Sequence, residues 1–344
     1  MAQAKSEAGA SALSLPDGLS VQGLVDIYVT MVLVRTLDER VWMMNRQGKA
    51  ALVASCQGHE AAQLGSVWAL RQHTADQFYF TYYRDMAVLM AQGLSALDIM
   101  LGYLAKAGEP LSDARQFPLH GASLRHRIMN LSNVVGTHVP HAVGWALACK
   151  LRGLPTVVAT YFGDGATSQG DIHEAMNFAS VHQLPVLFLC ENNKYAISVP
   201  LSAQMRVGSV AERAAAYSMP GVTVDGTDVL AVYRATAEAA KRAASGGGPS
   251  LLEFDVERYL PHTSDDDDTV YRDKSEIEKA RQRDPLKALQ ELLLESGLMT
   301  EAQDQEHRRA AKAEVDAATE AGEAASYPTT DDFAKHVYAP EESD

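Results

Sequence analysis

Gly163-Asp164-Gly165, separated by 26 residues from Asn192-Asn193, lies between two short apolar segments and constrains the fold more than any other feature. Thr156–Phe162 (TVVATYF) follows Pro155 as a nearly continuous apolar run, the pattern of a strand buried on both faces. Gly163 and Gly165 let the backbone turn tightly and approach a ligand without a Cβ in the way. From Gly170 to His182 the apolar residues Ile172, Ala175, Met176 and Ala179 recur at helical spacing. A second apolar run, Pro185–Cys190, ends at Glu191-Asn192-Asn193. The spacing predicts a βαβ unit with an acid at one strand tip and an amide at its neighbour. Ligands of open α/β sheets lie along that carboxyl edge.

Such an edge suits a hard cation bridging a diphosphate. Mg²⁺ takes roughly six oxygens near 2.1 Å and combines one or two protein groups with phosphate oxygens and water. Asp164, Asn193 and a carbonyl just beyond would fill part of that shell. The Gly165 and Ala166 amides would face the anion near a helix start. A lone GDG is an ordinary turn; its combination with NN between two apolar strands is the pattern of thiamine-diphosphate-dependent enzymes. Rival phosphate loops fit worse. No G-x-x-x-x-G-K-[ST] string occurs in the chain. GDGATSQG is not G-x-G-x-x-G, and Glu191 lies too far on to hold a ribose, so a nicotinamide oxidoreductase is the runner-up.

The remaining composition narrows the partners and the compartment. With 44 acidic against 30 basic residues, the net charge of −14 argues against nucleic acid or an anionic membrane as partner. No apolar run nears the ~20 residues that span a bilayer. The first 18 residues lack an apolar signal core and read as disordered. Cys56, Cys149 and Cys190 stand alone without metal spacing, as buried thiols of a reducing cytoplasm would. His120, His126, His138 and His141 lack a zinc-ligand spacing with nearby acids. The Asn130-Leu131-Ser132 sequon carries no meaning in a cytoplasmic protein.

Helical periodicity runs from the N-cap candidate Ser20 to Asn45 and recurs over Glu60–Arg71, Tyr83–Gln92, Ala96–Lys106 and Val139–Lys150. Residues 108–135 show no sustained period, and a stretch that long inside a compact domain implies a functional loop. Strands at Gly221–Val224 and Leu251–Val256, joined by a helix over Val229–Ala244, extend the parallel sheet. The expected class is a doubly wound, mostly parallel α/β fold over residues 19–275. Residues 276–344 add charged helices on the same domain and end in an acidic tail.

Several separate strings resemble one family, the alpha subunit of the first component of thiamine-diphosphate-dependent 2-oxo acid dehydrogenases. Gln57-Gly58-His59-Glu60-Ala61 is similar to its QGxEA helix start, and Tyr82-Tyr83-Arg84-Asp85 to its YYRD segment. Gly136–Gly144 (GTHVPHAVG) is similar to its loop-to-helix entry, and Arg258–Asp266 (RYLPHTSDD) to its histidine loop. Asn193–Pro200 and Pro261–Asp268 are most similar to bacterial branched-chain members. The similarity spans Leu24 to the C-terminal helices.

The resemblance implies a fold, a chemistry and a set of sites. Thiamine diphosphate would be held by Tyr83, Arg84, Gly163, Gly165, Ala166, Ile197 and His262, and Mg²⁺ by Asp164, Asn193 and the Tyr195 carbonyl. Asn133 and Val135 would lie along the cofactor, although relatives often carry Ser-Pro at Asn133-Val134. His262 would be the catalytic residue at the cofactor mouth. On their own, Tyr83-Arg84 reads more readily as a helix-start surface pair and His262 as an exposed loop histidine. Asp265–Asp268 reads as a solvated, mutually repelling run. The implied reaction is oxidative decarboxylation of 3-methyl-2-oxobutanoate and homologues, with acyl transfer to a lipoyl domain of an acyltransferase core. Pyruvate or acetoin dehydrogenase alpha subunits are the alternative, and a cofactor-free scaffold subunit is another. The glutamate that activates the cofactor comes from a beta subunit in this family, so an α₂β₂ heterotetramer is expected and the chain alone should be inactive.

Overall fold

A computed structural model of the protein describes residues 13–129 and 133–332. Its centre is a parallel sheet of β1 (Asp76–Phe80), β2 (Thr156–Gly163), β3 (Val186–Asn192), β6 (Gly221–Asp225) and β7 (Ser250–Asp255) in the order β1-β2-β3-β7-β6. A two-residue antiparallel ladder, β4 (Tyr195–Ala196) with β5 (Val199–Pro200), stands beside its carboxyl edge. The two central strands are buried nearly throughout, which explains their unbroken apolar runs.

Alternation along the strands divides the core between two helical layers. Phe80, Val158, Phe162, Val186, Phe188 and Leu251 face the helices His138–Leu151 and Gly170–Val181. Tyr79, Val157, Ala159, Tyr161, Leu187 and Leu252 face Glu60–His73 and Val229–Ala244 on the other side. The helix Val21–Arg46 begins where Ser20 Oγ accepts from the Gly23 amide at 2.9 Å. Its buried face shares a third core with Leu286, Leu289 and Leu293 of Pro285–Glu295 and with Val315 of Glu301–Ala324. The C-terminal helices therefore pack on the N-terminal one.

Two local expectations differ from the structure, and one strand was not anticipated. Strand β1 has no clean sequence signature, because its first three residues are only half-buried at the sheet edge. The helix expected over Tyr83–Gln92 is confined to Met86–Ala91; Tyr82–Asp85 is a turn closed by the Asp85 carboxylate on the Tyr82 amide at 2.8 Å. Residues 13–18, expected within a disordered terminus, are placed: Leu13 and Leu15 pack on the helical core. The rest of that segment, the 130–132 sequon and most of the acidic tail lie outside the described residues. All three cysteines are buried free thiols. Among the described residues no helix is long and apolar enough to cross a membrane.

Candidate functional site

Sheet register assembles the site. Gly163 pairs with Glu191 across β2 and β3, so Asp164 and Asn193 emerge side by side just past the paired strand ends. A Cβ at Gly165 would sit 2.6 Å from the Ala196 Cβ, so only glycine lets the β4–β5 ladder close over the Asp164–Ser168 turn. That ladder is itself strained. Lys194 and Ile197 adopt φ of 72° and 56°, and a β-branched residue in that region is an outlier. The Ile197 carbonyl is held there by Arg258 Nη2 at 3.0 Å.

A cavity of about 460 Å³ opens over this edge, and its wall brings together every residue singled out from the sequence. Tyr83, Arg84, Asn133, Val135, Gly163–Ala166, Asn193, Tyr195, Ile197 and His262 all line it. Asp164 is buried and accepts from Gln204 Nε2 at 2.8 Å through Oδ2, while its Oδ1 has no partner. Burial pushes its carboxyl above the ordinary aspartate range. An orphaned, desolvated carboxylate oxygen beside an asparagine amide is an oxygen-donor site for a hard cation. Among the described residues no group of three or more His, Cys, Asp or Glu side chains could hold a metal unaided. A cation here would have to share its shell with a bound anion, as the residues present would allow.

The same cavity also carries a buried cation, with a second one behind its lining. Arg84 is almost fully buried; Nη1 donates to the Ser55 carbonyl at 2.7 Å, Nη2 to the His262 carbonyl at 3.1 Å, and Nε has no partner. Arg258, equally buried, leaves Nε and Nη1 without partners. Burial first, then the neighbouring Arg84 charge, holds its guanidinium below the ordinary arginine range. Arg84 lines the cavity, while Arg258 stands behind it, bonded to the lining residue Ile197; the unmet donor of Arg84 is one that an anion would complete. Arg258 was quoted within the histidine-loop string but not selected as a site residue, since nothing local marks it as buried.

His262 lies between these charges. Arg84 Nη2 approaches its Nδ1 at 3.3 Å, and because arginine only donates, Nδ1 is the acceptor and Nε2 carries the proton. The acid run that follows is solvated only in part: Asp265 and Asp267 are exposed as expected, but Asp266 accepts from the His262 amide at 2.8 Å and Asp268 is buried near Arg272. These contacts fold two of the four acids back onto their own loop.

Burial, and secondarily Arg84 and Arg258, depress the His262 pKa to about 3. The unfolded chain then binds a proton between about pH 6.5 and 3 that the folded chain does not, so acidification through this window favours unfolding. Denaturant midpoints at pH 7 and pH 4.5 should therefore differ less in His262→Gln than in the wild type. An unchanged pH difference would show that this imidazole titrates normally.

Below the cavity floor lies a cluster absent from any single sequence string. Glu191 is fully buried, and its Oε2 meets Tyr82 Oη at 2.8 Å, His59 Nδ1 at 2.6 Å and Gln63 Nε2 at 3.2 Å. It ties the Tyr82–Asp85 turn to the tip of β3. The usable signal was an acid ending an otherwise apolar strand. Of the remaining wall, Leu52, Ala54, Phe117, Pro118 and His120 come from segments without periodicity, and Tyr103 from the end of the helix Ala96–Tyr103.

Comparison with known proteins matches this architecture. The profile of the dehydrogenase E1 component covers residues 28–331. The chain is 46% identical over 322 residues to the 2-oxoisovalerate dehydrogenase subunit alpha of Bacillus subtilis (strain 168), covering 94% of this chain and 97% of that protein. It is 38% identical over 305 residues to the pyruvate dehydrogenase E1 component subunit alpha of Staphylococcus aureus (strain COL), covering 88% and 79%. With the 3-methyl-2-oxobutanoate dehydrogenase subunit alpha of Mycobacterium tuberculosis (strain H37Rv) it shares 37% over 286 residues, covering 83% and 74%.

Proposed function

The chain belongs to the dehydrogenase E1 component family, and from that premise we propose that it is the alpha subunit of a branched-chain 2-oxo acid dehydrogenase, acting on 3-methyl-2-oxobutanoate and its homologues. The family depends on thiamine diphosphate, which supplies the nucleophilic carbon and electron sink for decarboxylation when bound. The observation that carries the reading is that one cavity is lined by both the orphaned Asp164 carboxylate and Arg84, a buried guanidinium whose Nε has no partner. Asp164, Asn193 and the Tyr195 carbonyl would hold Mg²⁺, and Arg84 with Tyr83 would hold the diphosphate of the cofactor. Ile197, Asn133 and Val135 would flank the rings.

His262 then stands ready for proton handling. With Nδ1 fixed as an acceptor from Arg84, its Nε2 would be the proton-bearing nitrogen available to a bound substrate. Tyr83 packs edge-on against the imidazole at 5.7 Å between centroids and limits its rotation. Leu52, Ala54, Tyr103, Phe117 and Pro118 give the substrate side an apolar surface suited to a branched aliphatic chain.

Phe117, Val134, Val135 and Ile197 line the cavity yet remain about half exposed or more (56, 64, 47 and 55%). Apolar residues at a mouth call for a cover, and a beta subunit in an α₂β₂ assembly would supply it. The lipoyl group of an acyltransferase core would receive the acyl product. The chain reconstituted with its beta subunit should show a higher melting temperature with thiamine diphosphate and Mg²⁺ and no change with NAD. Its kcat/KM for 3-methyl-2-oxobutanoate should exceed that for pyruvate by about 10-fold or more, the discrimination a few methylene contacts provide. A pyruvate preference would move the assignment to the pyruvate branch; stabilisation by NAD alone would end it.

A further inference from the structure

The loop that carries Phe117 and Pro118 into the cavity is folded by one buried carboxylate. Glu109 is 5% exposed, and Oε1 accepts from the Leu111 amide at 2.8 Å. Its Oε2 accepts from the Ser112 amide at 2.7 Å, Ser112 Oγ at 3.0 Å and the Ala114 amide at 3.1 Å. Four donors saturate what a carboxylate can accept. The backbone they hold is one the sequence itself disfavours: Asp113, Ala114 and Leu119 all lie at φ between 52° and 64° without being glycine. The base is closed where Ala122 donates to the Leu111 carbonyl at 3.1 Å, so near that a Cβ on Gly121 would sit 2.3 Å from the oxygen. Leu111 and Leu119 anchor the loop in the helical core, while Arg115–Phe117 between them are exposed.

Held this way, the loop's shape is set from behind and its outer residues form cavity wall. We propose that Glu109 is the positioning residue that fixes the Phe117–Pro118 wall and thereby the preference for branched over short 2-oxo acids, an inference that rests on the 2-oxo acid reading above. Glu109 does not itself line the cavity. It acts through the loop, so its loss should alter substrate fit and leave the cofactor end intact.

The test uses the reconstituted complex carrying Glu109→Gln, whose amide would turn two N–H groups toward existing donors, with Glu109→Asp as a milder second variant. Trypsin cleavage after Arg115, identified by mass spectrometry, should accelerate about tenfold or more in Glu109→Gln as the loop opens locally. The ratio of kcat/KM for 3-methyl-2-oxobutanoate to that for pyruvate should fall about tenfold, mainly through KM. Thiamine diphosphate affinity, read by fluorescence titration without substrate, should stay within about twofold. Phe117→Ala should reduce the same ratio while Arg115 remains protected. The proposal is overturned if Arg115 stays protected in both Glu109 variants, if the ratio is unchanged, or if both substrates and cofactor affinity weaken in parallel. A wild-type complex that binds no thiamine diphosphate and turns over neither acid would instead overturn the function. The protease result would still decide whether Glu109 holds the loop.

Discussion

Asp164→Ala should abolish turnover and remove the stabilisation that Mg²⁺ and thiamine diphosphate confer, while leaving the cofactor-free protein at least as stable as the wild type. The first half follows from the proposed ligand role. Losing an outer-shell partner of a metal costs 10–100-fold in affinity, so losing a direct ligand should cost at least about 100-fold. The second half follows from the structure. A buried carboxylate with an unpartnered oxygen is a desolvation cost in the empty protein, seen in the upward displacement of its pKa. Thermal melts of wild type and variant, with and without cofactor and metal, separate the two effects. A variant that melts far lower without cofactor would make Asp164 a structural residue holding Gln204. One that keeps both metal response and turnover would support the scaffold-subunit alternative.

The isolated chain is expected to bind cofactor weakly and to decarboxylate 2-oxo acids at a rate lower by roughly 10²–10⁴-fold than the α₂β₂ assembly, the usual contribution of a positioned acid–base group. Among the residues lining the cavity Asp164 is the one carboxylate, and it is already assigned to the metal. Among the described residues no other acid lines the cavity to activate the cofactor ring. The half-exposed apolar mouth leaves the reaction open to water until a partner covers it. Steady-state decarboxylation by purified chain, before and after titration with beta subunit, measures the ratio directly. Full activity from the chain alone would refute the shared site.

Much of the site was legible because it is local. GDG follows one strand, NN follows the next, and a single helix joins them, so adjacency in a parallel sheet turns a spacing of 26 residues into a shared edge. The Ser20 cap, the helix it begins and the strands β2, β3, β6 and β7 carried their own periodicity and punctuation. The short turn at Tyr82–Asp85 was misread as helix because Tyr83, Arg84 and Asp85 each tolerate helical geometry. The Asp85 carboxylate on the Tyr82 amide, together with the Asp85 amide on the Tyr82 carbonyl, closes it as a turn.

Local pattern therefore determined the sheet, the crossover and the two strand tips, since backbone propensity and burial act over a few residues. Tertiary structure alone decided what surrounds them. Glu191 meets His59 and Tyr82 across separations of 132 and 109 residues, and Arg84 meets His262 across 178. Arg258 gains its exposed-looking charge from the chain and its burial from the fold. Hydrogen bonds and desolvation depend on distances in space, which a linear pattern encodes only where neighbours in sequence are also neighbours in the folded chain.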